Sequence, residues 1–454
     1  MFRNDSARIP LSSSVLMSLL RCQIIALQLL VVVSLNVPQK LNLDIEQLKT
    51  GKYYEEPWIV MPSWKHQIIS QSEGSYVIRN FDLMSIGATG DGVTDDTQAF
   101  TDAWAAACSV DHAKLIVPSN RRFLVGPISF SGPCATNLSL NVEGIIIAPQ
   151  SLSYWSGLNA HRWLEFRLLD GFTLEGNGTI DGQGQEWWAQ SCKVNRSNPC
   201  LSAPTAVTIS NSNNSRIRNL TFKNSQNVHL AFVACTNVHA SDLLVTAPET
   251  SPNTDGINIR GSSDVLINDC TIRTGDDCIS IVTDTFHTMI RNLKCGPGHG
   301  ISIGSLGKDG SFANVSDIVV DGATLNRSTN GVRIKTWQGG QGAANNISFQ
   351  NMQMIDVANP IIIDQYYCNS TRRCQNQTSA VEVSGINYKN ITGTSSTTIA
   401  VKFACSKTVP CHDIVLENVN LTLYKSHKPA FSFCWDAKGS TRGVINPKSC
   451  LAKS

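Results

Sequence analysis

The sequence predicts an all-β, single-domain protein: a parallel β-helix of stacked coils with one helix at its N-terminal end. Three observations carry this. First, a polar lead residue followed by a strand with alternating Ile or Val recurs five times. Asp255 precedes Gly-Ile-Asn-Ile-Arg, Asp277 precedes Cys-Ile-Ser-Ile-Val, and His299 precedes Gly-Ile-Ser-Ile-Gly. Asn330 precedes Gly-Val-Arg-Ile-Lys and Asn359 precedes Pro-Ile-Ile-Ile-Asp, the leads lying 22, 22, 31 and 29 residues apart. Second, another phrase runs out of phase with it, centred on Asn219, Asp269, Gly322, Asn351 and Asn418, with looser copies near Asp242, Asn292 and Asn390. Its Asn/Asp/Gly position fits a sharp bend, where those residues tolerate left-handed backbone. Third, no helical periodicity separates the strands, which argues against a doubly wound sheet, and no Trp-Asp signature marks a WD40 propeller.

Taken in order, residues 1–36 look like a targeting signal. Arg3, Arg8 and Arg21 precede an apolar run, 24–35, that is short for a membrane span of about 20 residues. Cleavage is expected, with an uncleaved anchor as the alternative. Residues 37–78 form an N-terminal extension of no clear type, and 79–454 the β-helix domain. A turn-rich stretch, 87–92, leads into Thr94-Asp95-Asp96-Thr97, a helix start, after which Ala99, Phe100, Ala103, Trp104, Ala107 and Cys108 share one face. That helix would lid the open end of the stack, as solenoids require. Asp95 and Asp96 are read as capping residues rather than a catalytic pair. Trp187 and Trp188 are read as packing under a loop, with a ligand-stacking platform as the sharper alternative.

From residue 164 onward strands dominate. Ile257, Ile259, Ile279, Ile281, Ile301, Ile303, Val332, Ile334, Ile361 and Ile363 point inward at period two and form the core. Counting each lead as position zero, position one (Gly256, Cys278, Gly300, Gly331) is expected to face out as a small-residue floor for a ligand. Position three holds Asn258, Ser280, Ser302 and Arg333, and position five ends with Lys335. The result is a polar groove flanked by cations.

Composition limits the function. Charged residues make up 16% of the chain and the net charge is +2, so no nucleic-acid footprint is present. Of fifteen cysteines, fourteen lie beyond the targeting segment. Proximity suggests the pairs Cys192/Cys200, Cys278/Cys295, Cys368/Cys374, Cys405/Cys411, Cys434/Cys450 and Cys108/Cys134, leaving Cys235 and Cys270 as buried thiols. No paired Cys-x-x-Cys suggests zinc. With sequons at Asn137, Asn219, Asn346, Asn376 and Asn390, the chain reads as an exported, disulfide-bonded glycoprotein.

Asp255, Asp277 and His299 stack at position zero on coils about 4.8 Å apart, with Asp276 beside them. Strict alternation would turn Asp255 and Asp277 into the Ile stack, where unpaired carboxylates are very costly, so a bend is predicted just before each strand. Clustered carboxyls and a histidine cannot share one pKa; one should keep its proton in mild acid while the others ionise. Any single Asp here could be a satisfied turn residue. Two Asp, a Gly-His-Gly and an Arg-x-Lys at one register weaken that reading. Three carboxylates could also suit calcium, but His299, Arg333 and Lys335 would oppose a cation.

Four clusters, Asn253-Thr254-Asp255, Gly275-Asp276-Asp277, Gly298-His299-Gly300 and Arg333-Ile334-Lys335, occur in order and properly spaced. At these residues the chain resembles the polygalacturonases, pectin-cleaving glycoside hydrolases on a right-handed, pectin lyase-like parallel β-helix, and most of all the plant members. The resemblance spans roughly residues 81–450. It implies hydrolysis of α-1,4-galacturonan with inversion, Asp276 being the general acid and Asp255 with Asp277 activating water. His299 would orient the acid, Arg333 and Lys335 would hold a substrate carboxylate, and Asn253 and Tyr367 would touch substrate. Inverting glycosidases keep acid and base about 6.5–9.5 Å apart to admit water, a gap that neighbouring coils can supply. The partner implied is a polyanionic polysaccharide, with no cofactor, metal or nucleic acid, and no membrane once the signal is cleaved. A monomer, secreted to the cell wall, is expected. A calcium-dependent lyase and a catalytically silent pectin-binding β-helix are the rival readings.

Overall fold

The computed structural model describes residues 77–158, 161–370, 374–426 and 428–453. The expected signal segment, and the extension apart from Val77 and Ile78, lie outside the described residues. Among the described residues no helix is long and apolar enough to cross a membrane.

The rest is a parallel β-helix. One sheet stacks eleven strands, from Ile128–Ser131 through Ile257–Arg260, Ile279–Ile281, Ile301–Leu306, Asn330–Trp337 and Asn359–Tyr367 to Phe431–Trp435. A second sheet joins twenty strands. Every named pairing within them is parallel, including Ile257 with Ile279, Ile279 with Ile301, Ile301 with Val332 and Val332 with Ile361. The register read from the repeated phrase is therefore the register of the fold. The inward Ile/Val ladder is fully buried, as period-two strands covered on the inner face must be.

The bends follow from the second phrase. Asn219, Asp242, Asp269, Asn292, Gly322, Asn351, Asn390 and Asn418 all take positive φ, between 51° and 75°. Their short polar side chains also tie coil to coil. Asn390 Nδ2 donates to Asn351 Oδ1 at 3.0 Å, and Asn418 Nδ2 donates to Asn390 Oδ1 at 3.3 Å. Residue choice at each corner thus serves both the local conformation and the stacking.

The helix α1, Thr97–Cys108, buries Ala99, Phe100, Ala103, Trp104 and Ala107. Trp104 meets Phe130, Phe166 and Phe172 at 4.9–5.8 Å between ring centroids, extending an aromatic column along the first coils. Asp95 Oδ1 accepts from the Thr97 N–H at 2.9 Å, close to the helix start. Asp96 instead turns back and accepts from the N–H groups of Thr89 and Gly90, fastening the glycine-rich turn. All six expected disulfides form, and Cys235 and Cys270 are buried free thiols.

One expectation is overturned. Position one does not face solvent. Cys278 is fully buried in its disulfide with Cys295. A Cβ on Gly256 would lie 2.5 Å from Ile272 Cγ2, and one on Gly331 would lie 2.8 Å from Met354 Cε. These residues are small because they turn into a crowded interior, not because they floor a groove. Three of the strands begin only at position two, at Ile257, Ile279 and Ile301, so alternation does not extend back through those corners; in the strand Asn330–Trp337 the first three residues are all buried, and Gly331 turns inward with them.

Candidate active site

That corner is the predicted bend, and it frees the lead residues to point outward. Asp255 and Asp277 line one open cleft of about 390 Å³ together with Asn253, Asp276, His299, Arg333, Lys335 and Tyr367. All eight residues singled out in the sequence meet there. The polar lining beneath them comes from position three, Asn258 and Ser280, while Ser302 is buried behind Asp277.

Each carboxyl has its own surroundings. Asp277 is the most buried and the most heavily bonded. Its Oδ1 accepts from Ser302 Oγ at 2.8 Å and Arg333 Nη2 at 2.7 Å, and its Oδ2 accepts from Lys335 Nζ at 2.6 Å. Arg333 Nε also donates to Ser302 Oγ at 3.0 Å, closing the network. Arg333 and Lys335 therefore hold Asp277 before any substrate arrives. Arg333 Nη1 and the remaining ammonium protons of Lys335 are not used by these bonds. Lys335 also sits 5.4 Å over the Tyr367 ring, which is edge-on to Trp337.

Asp276 Oδ1 pairs with His299 Nδ1 at 2.9 Å and accepts from the Asp277 N–H at 2.9 Å. Burial pushes this carboxyl up. The His299 hydrogen bond and charge, aided by Lys193 and Lys335, outweigh it and hold Asp276 well below the usual carboxylate range. Asp255 goes the other way. Burial, then the charges of Asp276 and Asp277, push it well above that range, despite Lys335 and a 2.7 Å hydrogen bond from Ser280 Oγ. The cluster thus pushes two of its carboxyls in opposite directions, Asp276 down and Asp255 up. Asn258 Nδ2 donates to Ser280 Oγ at 2.8 Å, fixing the hydroxyl that serves Asp255.

Two contributors were missed in the sequence. Lys193 reaches to 3.9 Å from Asp276 Oδ2 from the loop closed by Cys192–Cys200, outside the repeated strands, and no periodicity flags it. His229 lies one coil earlier. Its Nδ1 donates to the Asp255 carbonyl at 2.9 Å and its Nε2 accepts from the Ser225 N–H at 3.2 Å. Burial pushes this imidazole down to about 4, so it is a neutral clamp on the backbone of Asp255. Trp187 and Trp188 pack as expected: Trp188 Nε1 donates to the Ser225 carbonyl, and Trp187 stands edge-on to Trp155.

Asp276, Asp277 and His299 bring potential ligand atoms within 4.8 Å of one another. A metal there would have to take Asp277 oxygens already held by an ammonium, a guanidinium and a hydroxyl. The donor set does not fit a divalent ion.

A parallel β-helix with clustered carboxyls set among cations in an open cleft is an arrangement that suits a glycoside hydrolase. The comparisons place it further. Residues 108–437 match the model of glycosyl hydrolases family 28, and the chain belongs to that family. It is 50% identical over 369 residues to a probable polygalacturonase of Arabidopsis thaliana, covering 81% of this chain and 83% of the relative. It is 52% identical over 335 residues to a polygalacturonase of Persea americana, covering 74% and 72%. Among solved structures, the endo-xylogalacturonan hydrolase of Aspergillus tubingensis superposes with a TM-score of 0.70 at 24% identity, over 81% of this chain and 99% of that one. The polygalacturonase of Erwinia carotovora gives 0.64 at 24%, over 82% and 96%. These two support the fold.

Proposed function

We propose that the protein is a polygalacturonase, hydrolysing α-1,4-galacturonosyl linkages of polygalacturonate with inversion, as a secreted monomer acting in the cell wall. The observation that carries this is the meeting of Asp255, Asp276 and Asp277 with Lys193, Arg333 and Lys335 in one cleft. Carboxyls of unequal proton affinity supply acid and base, and the cations complement a polyanionic sugar. Family membership and the polygalacturonase relatives point the same way, and the disulfides fit an oxidising compartment.

In this reading the Asp276–His299 pair shares the proton that goes to the leaving oxygen. A polyanionic substrate offsets the Lys193 and Lys335 charges that assist His299 in lowering Asp276, so its proton affinity rises as the complex forms. Asp255, once ionised, takes a proton from the attacking water. Asp277 is held in place by Arg333, Lys335 and Ser302, and it adds to burial and to Asp276 in raising the proton affinity of Asp255. Arg333 Nη1 and Lys335 grip a substrate carboxylate, while Asn253 and Tyr367 border the same sugar.

Replacing Asp276 by Asn is the test. Reducing-end release from polygalacturonate should fall by roughly 10²–10⁴-fold in kcat with KM and the unfolding midpoint little changed. Near-normal turnover in that variant would sink the assignment.

A further inference from the structure

A second pocket of about 370 Å³ adjoins the catalytic cleft on the side of the earlier coils and shares Asn253 and Asp255 with it. Its chemistry is different. The catalytic cleft carries Lys193, His299, Arg333 and Lys335, whereas among the described residues the second pocket is lined by no lysine, arginine or histidine, and Asp255 is its one ionisable group. Trp187, Leu201, Ala203 and Pro252 supply an apolar wall, and Gln226 and Asn227 supply neutral amides.

Gln226 is the telling residue. It is 2% exposed, and both its amide oxygen and its amide nitrogen lack a hydrogen-bond partner, as does the buried Trp187 Nε1. A buried unpaired amide is a standing cost that a ligand can relieve. The relief requires a group that both donates and accepts, or a mixed set of hydroxyls and carbonyls. A ring hydroxyl can donate to Gln226 Oε1 whether the sugar is esterified or free, so the discriminating term is charge: a carboxylate would sit beside Asp255 with no lining cation to balance it, and a neutral ester would not.

We propose that this pocket is a subsite for a methyl-esterified galacturonosyl residue, flanking a free galacturonate held in the catalytic cleft. The inference rests on the polygalacturonase reading and specifies its substrate: pectin with free and esterified residues side by side. The ester removes the charge that the pocket cannot balance. Its carbonyl and the ring hydroxyls meet Gln226, Asn227 and Trp187 Nε1, and its methyl group lies against Leu201, Ala203 and Pro252.

The test is to digest partially methyl-esterified pectin in H₂¹⁸O, which labels each new reducing end, and to locate esters relative to the cut by mass spectrometry. Esters are expected at one fixed position flanking the cleaved bond, at least as often as in the starting polymer, and never on the residue seated among Arg333 and Lys335. A second arm places a cation at the pocket mouth, Leu201→Lys, where the side chain is 57% exposed and the fold is not at stake. It should shift the ratio of kcat/KM for polygalacturonate over esterified pectin upward by about fivefold. Cleavage of polygalacturonate with no ester ever flanking the cut, or an unchanged ratio in Leu201→Lys, overturns the subsite and leaves the polygalacturonase reading intact. Failure to cleave polygalacturonate at all removes both.

Discussion

Replacing Lys335 by Met tests whether the cluster is held by a buried ion network. The side chains of Lys335 and Asp277 are 8% and 2% exposed and meet at 2.6 Å. Met keeps the length of the stem and removes only the charge, so packing changes little. Deleting one partner of a buried pair costs about 3–5 kcal/mol, because the other charge is stranded. Here Asp277 Oδ1 still accepts from Arg333 Nη2 at 2.7 Å and from Ser302 Oγ at 2.8 Å, so the loss should fall at the low end, about 3 kcal/mol. Urea denaturation of the single variant and of Lys335→Met/Asp277→Asn reads this out. The double variant has no carboxylate to strand and should regain at least half of the loss. A cost for the single variant below about 1 kcal/mol, the value for an exposed pair, would refute the reasoning. So would a double variant no more stable than the single one.

Other perturbations probe the remaining parts. Asp255 binds its proton more tightly folded than unfolded, so folding takes up a proton above the ordinary carboxylate range, and stability falls as pH rises from about 4 toward the folded value. Asn at 255 cannot ionise. Asp255→Asn should therefore melt higher at pH 7, by about 1 kcal/mol, show no gain at pH 3, and lose activity. The same sign requires the acid limb of kcat/KM to rise with pH as Asp255 ionises, displaced above the range of an unperturbed carboxyl. Lys193→Gln removes a 42% exposed partner of Asp276, so the change in kcat/KM should stay within about fivefold and vanish in 1 M salt. Gly331→Ala would place a Cβ 2.1 Å from the Pro360 carbonyl oxygen and 2.8 Å from Met354 Cε, costing about 2 kcal/mol or more in a urea titration.

What the sequence discloses is the register. Strands at a fixed offset from a polar lead place Asp255, Asp277 and His299 in one column, and corner residues that tolerate positive φ mark each bend. Both are local signals repeated coil after coil. The facing of Gly256 and Cys278 is not legible that way, because alternation holds only inside a strand and these residues sit in the corner before it; Gly331 lies within the strand Asn330–Trp337, whose first three residues are all buried and do not alternate. Lys193 is invisible for another reason: it arrives on a disulfide-closed loop whose spacing from the repeat carries no information. Nor can sequence alone say which carboxyl keeps its proton. That depends on burial and on who faces whom: His299 on Asp276, and for Asp255 burial first and then two other acids.

The spacing from His299 to Asn330 is 31 residues, against 22 for the two steps before it, yet Ile301 still pairs with Val332 in the common register. The additional length passes through the turn Lys308–Gly310, beyond the end of the strand Ile301–Leu306. Chain length between rungs is thus uncoupled from rung height. Loops bordering the cleft can grow, shrink or be exchanged without moving an acid relative to its neighbour, so reach and selectivity along a polymer can diversify while the proton-transfer machinery stays fixed.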